Sequence, residues 1–223
     1  MEAHTKIPCK WSPDLAYLVG LIATDGNLSS DGRHVNLTSK DADLLEQIRD
    51  CFHLRVKVGK KSRIKGGDKI YSVLQIGDIH FYKFLLAIGL TPNKSKTISQ
   101  LNIPKELFSD FLRGCIDGDG SITIAKHSES KHPQLRLRLC SASPAFLHWV
   151  KNEVHLHLSL LGGWIQETRN SSISTLCYGK SDSIQILEFM YNSQSTLFLQ
   201  RKYSIVENFW ASGGIGIRAS LRN

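Results

Sequence analysis

The chain has no Cys-x-x-Cys pair, and its five cysteines (Cys9, Cys51, Cys115, Cys140 and Cys177) are odd in number and scattered. That pattern excludes a disulfide framework and a thiolate zinc site, and it reads as reduced, mostly packing thiols. His155 and His157 flank Leu156 with no further ligand nearby in sequence, so the pair reads as surface residues and not as a metal centre. No apolar run approaches the roughly eighteen residues of a membrane span. The polar, lysine-bearing start at Met1–Lys6 does not look like a secretory signal. These absences set the expectation of an intracellular protein without a membrane partner. No appended helix-turn-helix module is recognisable either.

What is present is a chain able to build a core and carrying excess positive charge. Hydrophobic residues make up 41% of the 223, which excludes a disordered or fibrous class, and the formal net charge is +8. Such a balance points to a polyanionic partner without requiring one. The most informative feature is a repeat. LVGLIATDG at Leu18–Gly26 returns as LRGCIDGDG at Leu112–Gly120, each an apolar helical stretch with a central glycine and a terminal Asp-Gly. The flanks repeat as well. Val35–Ile48 and Leu135–Val150 each read as an alternating strand running into an amphipathic helix, capped by Asp41 in one case and by Ser143-Pro144 in the other.

A basic strand pair follows in each half. The first begins near Arg55, turns at Gly66-Gly67-Asp68 and returns over Ile70–Ile76; the second runs from Gly163 to Asn170 and returns over Ser174–Tyr178. A helix comes next (Ile79–Ile88; Ser181–Tyr191), then a lysine-bearing segment, Pro92–Lys96 or Leu199–Tyr203. The fold class expected is α+β: two pseudo-symmetric αββαββα repeats, residues 1–104 and 105–210, with a loose tail over 211–223.

A glycine inside a helix costs about 1 kcal/mol relative to alanine, so Gly20 and Gly114 need a reason. Thr24 and Gly118 lie one turn further on, and small residues at i and i+4 leave a groove that admits a second helix backbone. The two motif helices are therefore expected to pack together as the central seam. Gly26 and Gly120 are expected to end them in a left-handed conformation. Asp25 and Asp119 would then stand side by side at two helix C-termini, disfavoured by the dipoles and by each other unless cations relieve them. Hard divalent ions suit such oxygen donors. On one copy alone, Asp-Gly would read as an ordinary turn; duplication favours metal ligation.

These motifs, together with Phe111–Ser121 and the Asn93-Lys94-Ser95 segment, resemble the LAGLIDADG homing endonuclease family in its single-chain, two-motif form. The resemblance runs from about Asp14 to Phe209. It implies a monomer whose antiparallel sheets form a saddle over double-stranded DNA. It also implies metal-dependent hydrolysis of one phosphodiester on each strand, a staggered break of the kind used in intron homing. Carried over, Asp25 with Thr24 and Asp119 with Gly118 would bind Mg2+, with Mn2+ able to substitute and Ca2+ binding without efficient cleavage. Lys94 and Lys202 match the basic residues the family places near the scissile phosphates, with Lys96 and Arg201 as neighbours. The sixth motif position is Ala23 in one half and Asp117 in the other, a departure expected to be harmless.

Strand alternation nominates the readers of DNA. These are Gln134, Arg136 and Arg138 on one strand, Asn36 and Thr38 on another with Arg33 nearby, then Arg55, Lys57, Lys60, Lys61, Arg63 and Lys65, and finally Gln166, Arg169 and Asn170. Lysines are expected mostly on phosphates, and arginine and amide side chains on base edges. Trp164 reads as packing at a strand start; Tyr71 and Tyr178 fit either face. Two other functions fit the same scaffold: a maturase acting on intron RNA, and a DNA-binding protein without catalysis.

Overall fold

The structure, a computed structural model, describes residues 7–62, 70–125, 134–167, 171–192 and 195–211. In the first half the order is α1 (Pro13–Thr24), β1 (Gly26–Leu28), β2 (His34–Ser39), α2 (Ala42–Cys51), β3 (Gly59–Ser62), β4 (Ile70–Gly77) and α3 (Ile79–Ala87). The second half has α4 (Phe108–Asp119), β5 (Gly120–Ala125), β6 (Gln134–Ser141), α5 (Pro144–Leu158), β7 (Trp164–Glu167), β8 (Ser174–Tyr178), α6 (Lys180–Tyr191) and α7 (Gln200–Ala211). Each half builds a four-stranded antiparallel sheet, ordered β1-β2-β4-β3 and β5-β6-β8-β7. This is the α+β class expected from the repeat.

Helices α1 and α4 are the centre of the molecule. Leu15 through Ala23 and Phe108 through Asp117 are buried without a break, as a helix enclosed on all sides must be. Their seam is reciprocal. A Cβ on Gly20 would stand 2.1 Å from the Phe111 carbonyl oxygen, and one on Gly114 would stand 2.1 Å from that of Tyr17. The two backbones touch through the missing side chains, which is the reason both glycines required. Helix starts follow local chemistry. Ser12 accepts from the Leu15 N–H (3.2 Å) ahead of Pro13, and Ser143 accepts from the Phe146 N–H (3.4 Å) ahead of Pro144.

Three local expectations are corrected. Gly26 and Gly120 are not left-handed: positive φ among the described glycines belongs to Gly32, Gly89 and Gly163, and Gly120 is extended (φ −94°, ψ 169°). They are glycines because the chain folds back over the helix it has just left. A Cβ on Gly26 would stand 2.6 Å from the Ile22 Cα, and one on Gly120 would stand 2.6 Å from the Ile116 Cα. Asp41 precedes α2 without capping it; its carboxylate receives Arg201 Nε at 3.0 and 3.1 Å, joining the two halves. The first basic strand starts later than expected. Among the described residues, only Gly59–Ser62 pairs with β4, while exposed Arg55 and Lys57 precede it, with Val56 and Val58 packed against the core. The expected turn at Gly66-Gly67-Asp68 lies outside the described residues, as does the tail over 212–223. Ala211 closes α7.

Candidate metal centre and nucleic-acid interface

The route from motif to site is short. Helix α1 delivers Asp25 directly into β1, and α4 delivers Asp119 directly into β5, so each acid sits at the inner edge of its own sheet. The seam brings the two helix ends together: a Cβ on Gly118 would stand 2.0 Å from Thr24 Oγ1 and 3.5 Å from Asp25 Oδ2. Thr24 and Asp119 also share the wall of one cavity of about 180 Å³. Residues 25 and 119, remote in the chain, therefore lie in one neighbourhood, and both face solvent.

Two buried lysines complete it. Lys94, on a short 3-10 turn (Lys94–Lys96), donates from Nζ to the Gly26 carbonyl. Lys202, on α7, donates to the carbonyls of Gly120 (2.7 Å), Asp117 (2.9 Å) and Ile116 (2.5 Å). Each lysine thus reaches the glycine that follows a motif aspartate, from a different fold element in each half. Burial lowers both ammonium groups to about 8, against the pull of Asp119 and Asp25 on Lys94 and of Asp117, Asp25 and Asp119 on Lys202. Partial desolvation in turn raises the Asp119 carboxyl, opposed by Lys202 and Lys94. Of the four basic residues nominated here, Lys96 and Arg201 point elsewhere: Lys96 is exposed, and Arg201 is tied to Asp41.

The donor set fits a hard cation. Two solvent-facing carboxylates stand beside the last carbonyls of two helices, which have no partner within the helix, and these include those of Thr24 and Gly118. Among the described residues no cluster of three or more His, Cys, Asp or Glu side chains could enclose a metal. His157 serves packing, its ring hydrogen-bonded to the carbonyls of Glu153 and Lys105 and stacked on Phe108.

Strand register fixes the faces of the two sheets. Leu135, Leu137 and Leu139 are buried, and Gln134, Arg136 and Arg138 occupy the other face opposite Ala125, Thr123 and Ser121. Cys177 pairs with Arg138, and Gln166 pairs with Thr175 on that same face. In the first sheet, Asn36 lies between Asn27 and Gln75, and Thr38 lies opposite Val73. Lys61 pairs with Tyr71 on this face, whereas Lys60 pairs with Ser72 and alternates onto the helix-covered side with Leu74 and Ile76. Arg33 is exposed just before β2. Arg63, Lys65, Arg169 and Asn170 lie outside the described residues. Trp164 does not pack at a strand start: it is 52% exposed, in the cross-strand row of Cys177 and Arg138. Tyr178 is a core residue.

The sixth-position departure from Ala23 puts a buried charged group at the site. Asp117 is 2% exposed and accepts from Tyr17 Oη (2.9 Å) and from the Leu199 N–H (2.8 Å). Burial raises its carboxyl, against those bonds and the charges of Lys202 and Arg113. Its asymmetry with Ala23 was the only signal in the sequence.

Comparison with known proteins bears on the fold. Residues 12–89 match the family model of the LAGLIDADG-like domain. The meganuclease I-SmaMI bound to uncleaveable DNA superposes with a TM-score of 0.59 at 16% identity, over 90% of this chain and 89% of that one; another of its structures holds an uncleaved DNA target in the presence of calcium ions. Variants of the homing endonuclease I-DmoI give 0.53 at 18% identity, over 82% and 97%. Full-length DUF199/WhiA from Thermatoga maritima gives 0.51 at 15% identity, over 91% and 68%. No curated protein sequence matches the chain.

Proposed function

Since residues 12–89 are a LAGLIDADG-like domain and the whole chain has the two-sheet α+β fold of single-chain LAGLIDADG homing endonucleases, we propose that it is a site-specific DNA endonuclease. It cuts both strands of a long duplex sequence by metal-dependent hydrolysis and leaves a staggered break. The observation that carries this reading is the matching contact of Lys94 with the Gly26 carbonyl and of Lys202 with the Gly120 carbonyl, each carbonyl next to a motif aspartate.

Asp25 and Asp119, with the main-chain carbonyls of Thr24 and Gly118, would hold the cation, Mg2+ or in its place Mn2+. Bound there, it would supply Lewis acidity for activating water and for offsetting charge on the phosphate oxygens. Lys94 and Lys202, lowered to about 8, lie near the pH at which a group can either take a proton from water or offset charge building on the phosphate. The open sheet faces bear on the duplex. Arg136, Arg138, Gln134, Gln166 and Asn36 are placed for base edges, Lys61 for phosphate, and exposed Trp164 adds an apolar surface beside Arg138.

Incubating the protein with a randomised duplex library and Mg2+ tests the reading. Cleavage of a family of related long sequences is expected, with Asp25→Asn and Asp119→Asn each abolishing double-strand cutting while binding in Ca2+ persists. Magnesium-dependent cutting by the double variant would remove both residues from the metal site. Binding of a selected duplex with no cutting at all would favour a DNA-binding protein without catalysis.

A further inference from the structure

We propose that Asp117 is a positioning residue for Lys202, and that the two halves therefore place their site lysines by different means; this rests on the endonuclease reading above. Asp117 Oδ2 accepts from the Leu199 N–H at 2.8 Å. Leu199 is the residue from which α7 starts, its carbonyl accepting from the N–H groups of Lys202 (2.9 Å) and Tyr203 (3.1 Å). One turn earlier on α4, Arg113 Nε donates to the Leu197 carbonyl at 3.1 Å. Residues four apart on a helix share a face, so Arg113 and Asp117 together grip the segment entering α7. The Asp117 carbonyl and its neighbours at 116 and 120 then receive the lysine itself. Asp117 thus holds both ends of the lever, the root of α7 through its carboxylate and the tip of Lys202 through its backbone.

The matching motif positions of the first half provide no such grip, since Val19 and Ala23 are both apolar and buried. Lys94 sits on a three-residue 3-10 turn entered through Asn93 at a left-handed φ of 56°, and its Nζ donates to the Gly26 carbonyl alone among the described residues. Loss of the Asp117 carboxylate therefore loosens one lysine and leaves the other in place. The strand cut beside Lys202 depends on Asp117, and the strand cut beside Lys94 does not.

The experiment uses the full chain and a duplex recovered by wild-type cutting of a randomised library, each strand carrying its own fluorophore. D117A is expected to slow cleavage of one strand by about tenfold or more and the other by no more than about twofold, so that a nicked duplex accumulates. D117N keeps an oxygen able to accept the Leu199 N–H and should restore most of the lost rate. Should D117A not fold, D117L fills the volume without an acceptor. Without DNA, hydrogen exchange over residues 197–203 should speed up in D117A by about tenfold while residues 92–98 stay unchanged. Equal slowing of both strands, or unchanged exchange at 197–203, would overturn the proposal. A wild type that cuts neither strand would sink the endonuclease reading instead, and the exchange result alone would then judge the grip.

Discussion

Replacing Gly20 by alanine sets two effects of opposite sign against each other at the centre of the molecule. In an isolated helix the change is favourable by about 1 kcal/mol, because glycine loses more backbone freedom on folding. Here the new methyl carbon would stand 2.1 Å from the Phe111 carbonyl oxygen and 3.0 Å from the Cys115 nitrogen. Both are backbone atoms of a buried helix, so no side chain can rotate away. Relief requires α1 and α4 to separate by about 1 Å, and overpacking of this kind costs typically 1–3 kcal/mol, more when rigid backbone is involved. The clash should win, leaving a net loss of about 2 kcal/mol. For a domain of this size each kcal/mol moves Tm by about 2–4 °C, so a fall of about 4–8 °C is expected in a thermal melt. Gly114→Ala should cost a similar amount through Tyr17. The double variant should cost less than the sum, since one separation relieves both contacts. A Gly20→Ala protein as stable as wild type or more so would refute the close seam, and with it the adjacency of Asp25 and Asp119.

Other expectations concern charge. Lys202 is buried and lowered to about 8, so the unfolded chain binds more protons than the folded one between about pH 8 and the ordinary lysine value. Its penalty on stability is fully present below about pH 8 and lifts as pH rises above it. Wild type should therefore gain stability relative to Lys202→Met across that window in chelator-containing buffer, and a constant difference would contradict the buried ammonium. DNA affinity should fall steeply with salt, with a log–log slope of about −0.9 per phosphate neutralised; Lys61→Ala should flatten that slope, and Arg136→Ala should relax base preference at one position. A salt-independent affinity would exclude the basic faces as the contact. Arg201→Ala breaks an ion pair whose guanidinium is more than half exposed, so it should cost under about 1 kcal/mol in denaturant unfolding. A larger loss would make Arg201–Asp41 a true strut between the halves.

The amino-acid sequence by itself determined the plan of two equivalent halves, the strand alternation that buries Leu135, Leu137 and Leu139, and the Ser143-Pro144 helix start. These are readable because periodicity and capping are properties of adjacent residues. It also nominated the two motif aspartates through duplication, and the two lysines through the family resemblance. Only the tertiary structure decided why Gly26 and Gly120 are glycines, since the obstacle is the helix turn beneath them and not a backbone angle. The same holds for Asp41, which has the composition of a cap and the position of an inter-half partner. Lys60 and Lys61 are chemically equal and diverge only through register with β4. Asp117 looked dispensable beside Ala23 because its partners, Tyr17 and Leu199, come from helices that meet it only when the chain has folded. Local sequence specifies the side of an element on which a residue lies; what stands opposite is settled by packing between elements distant in the chain.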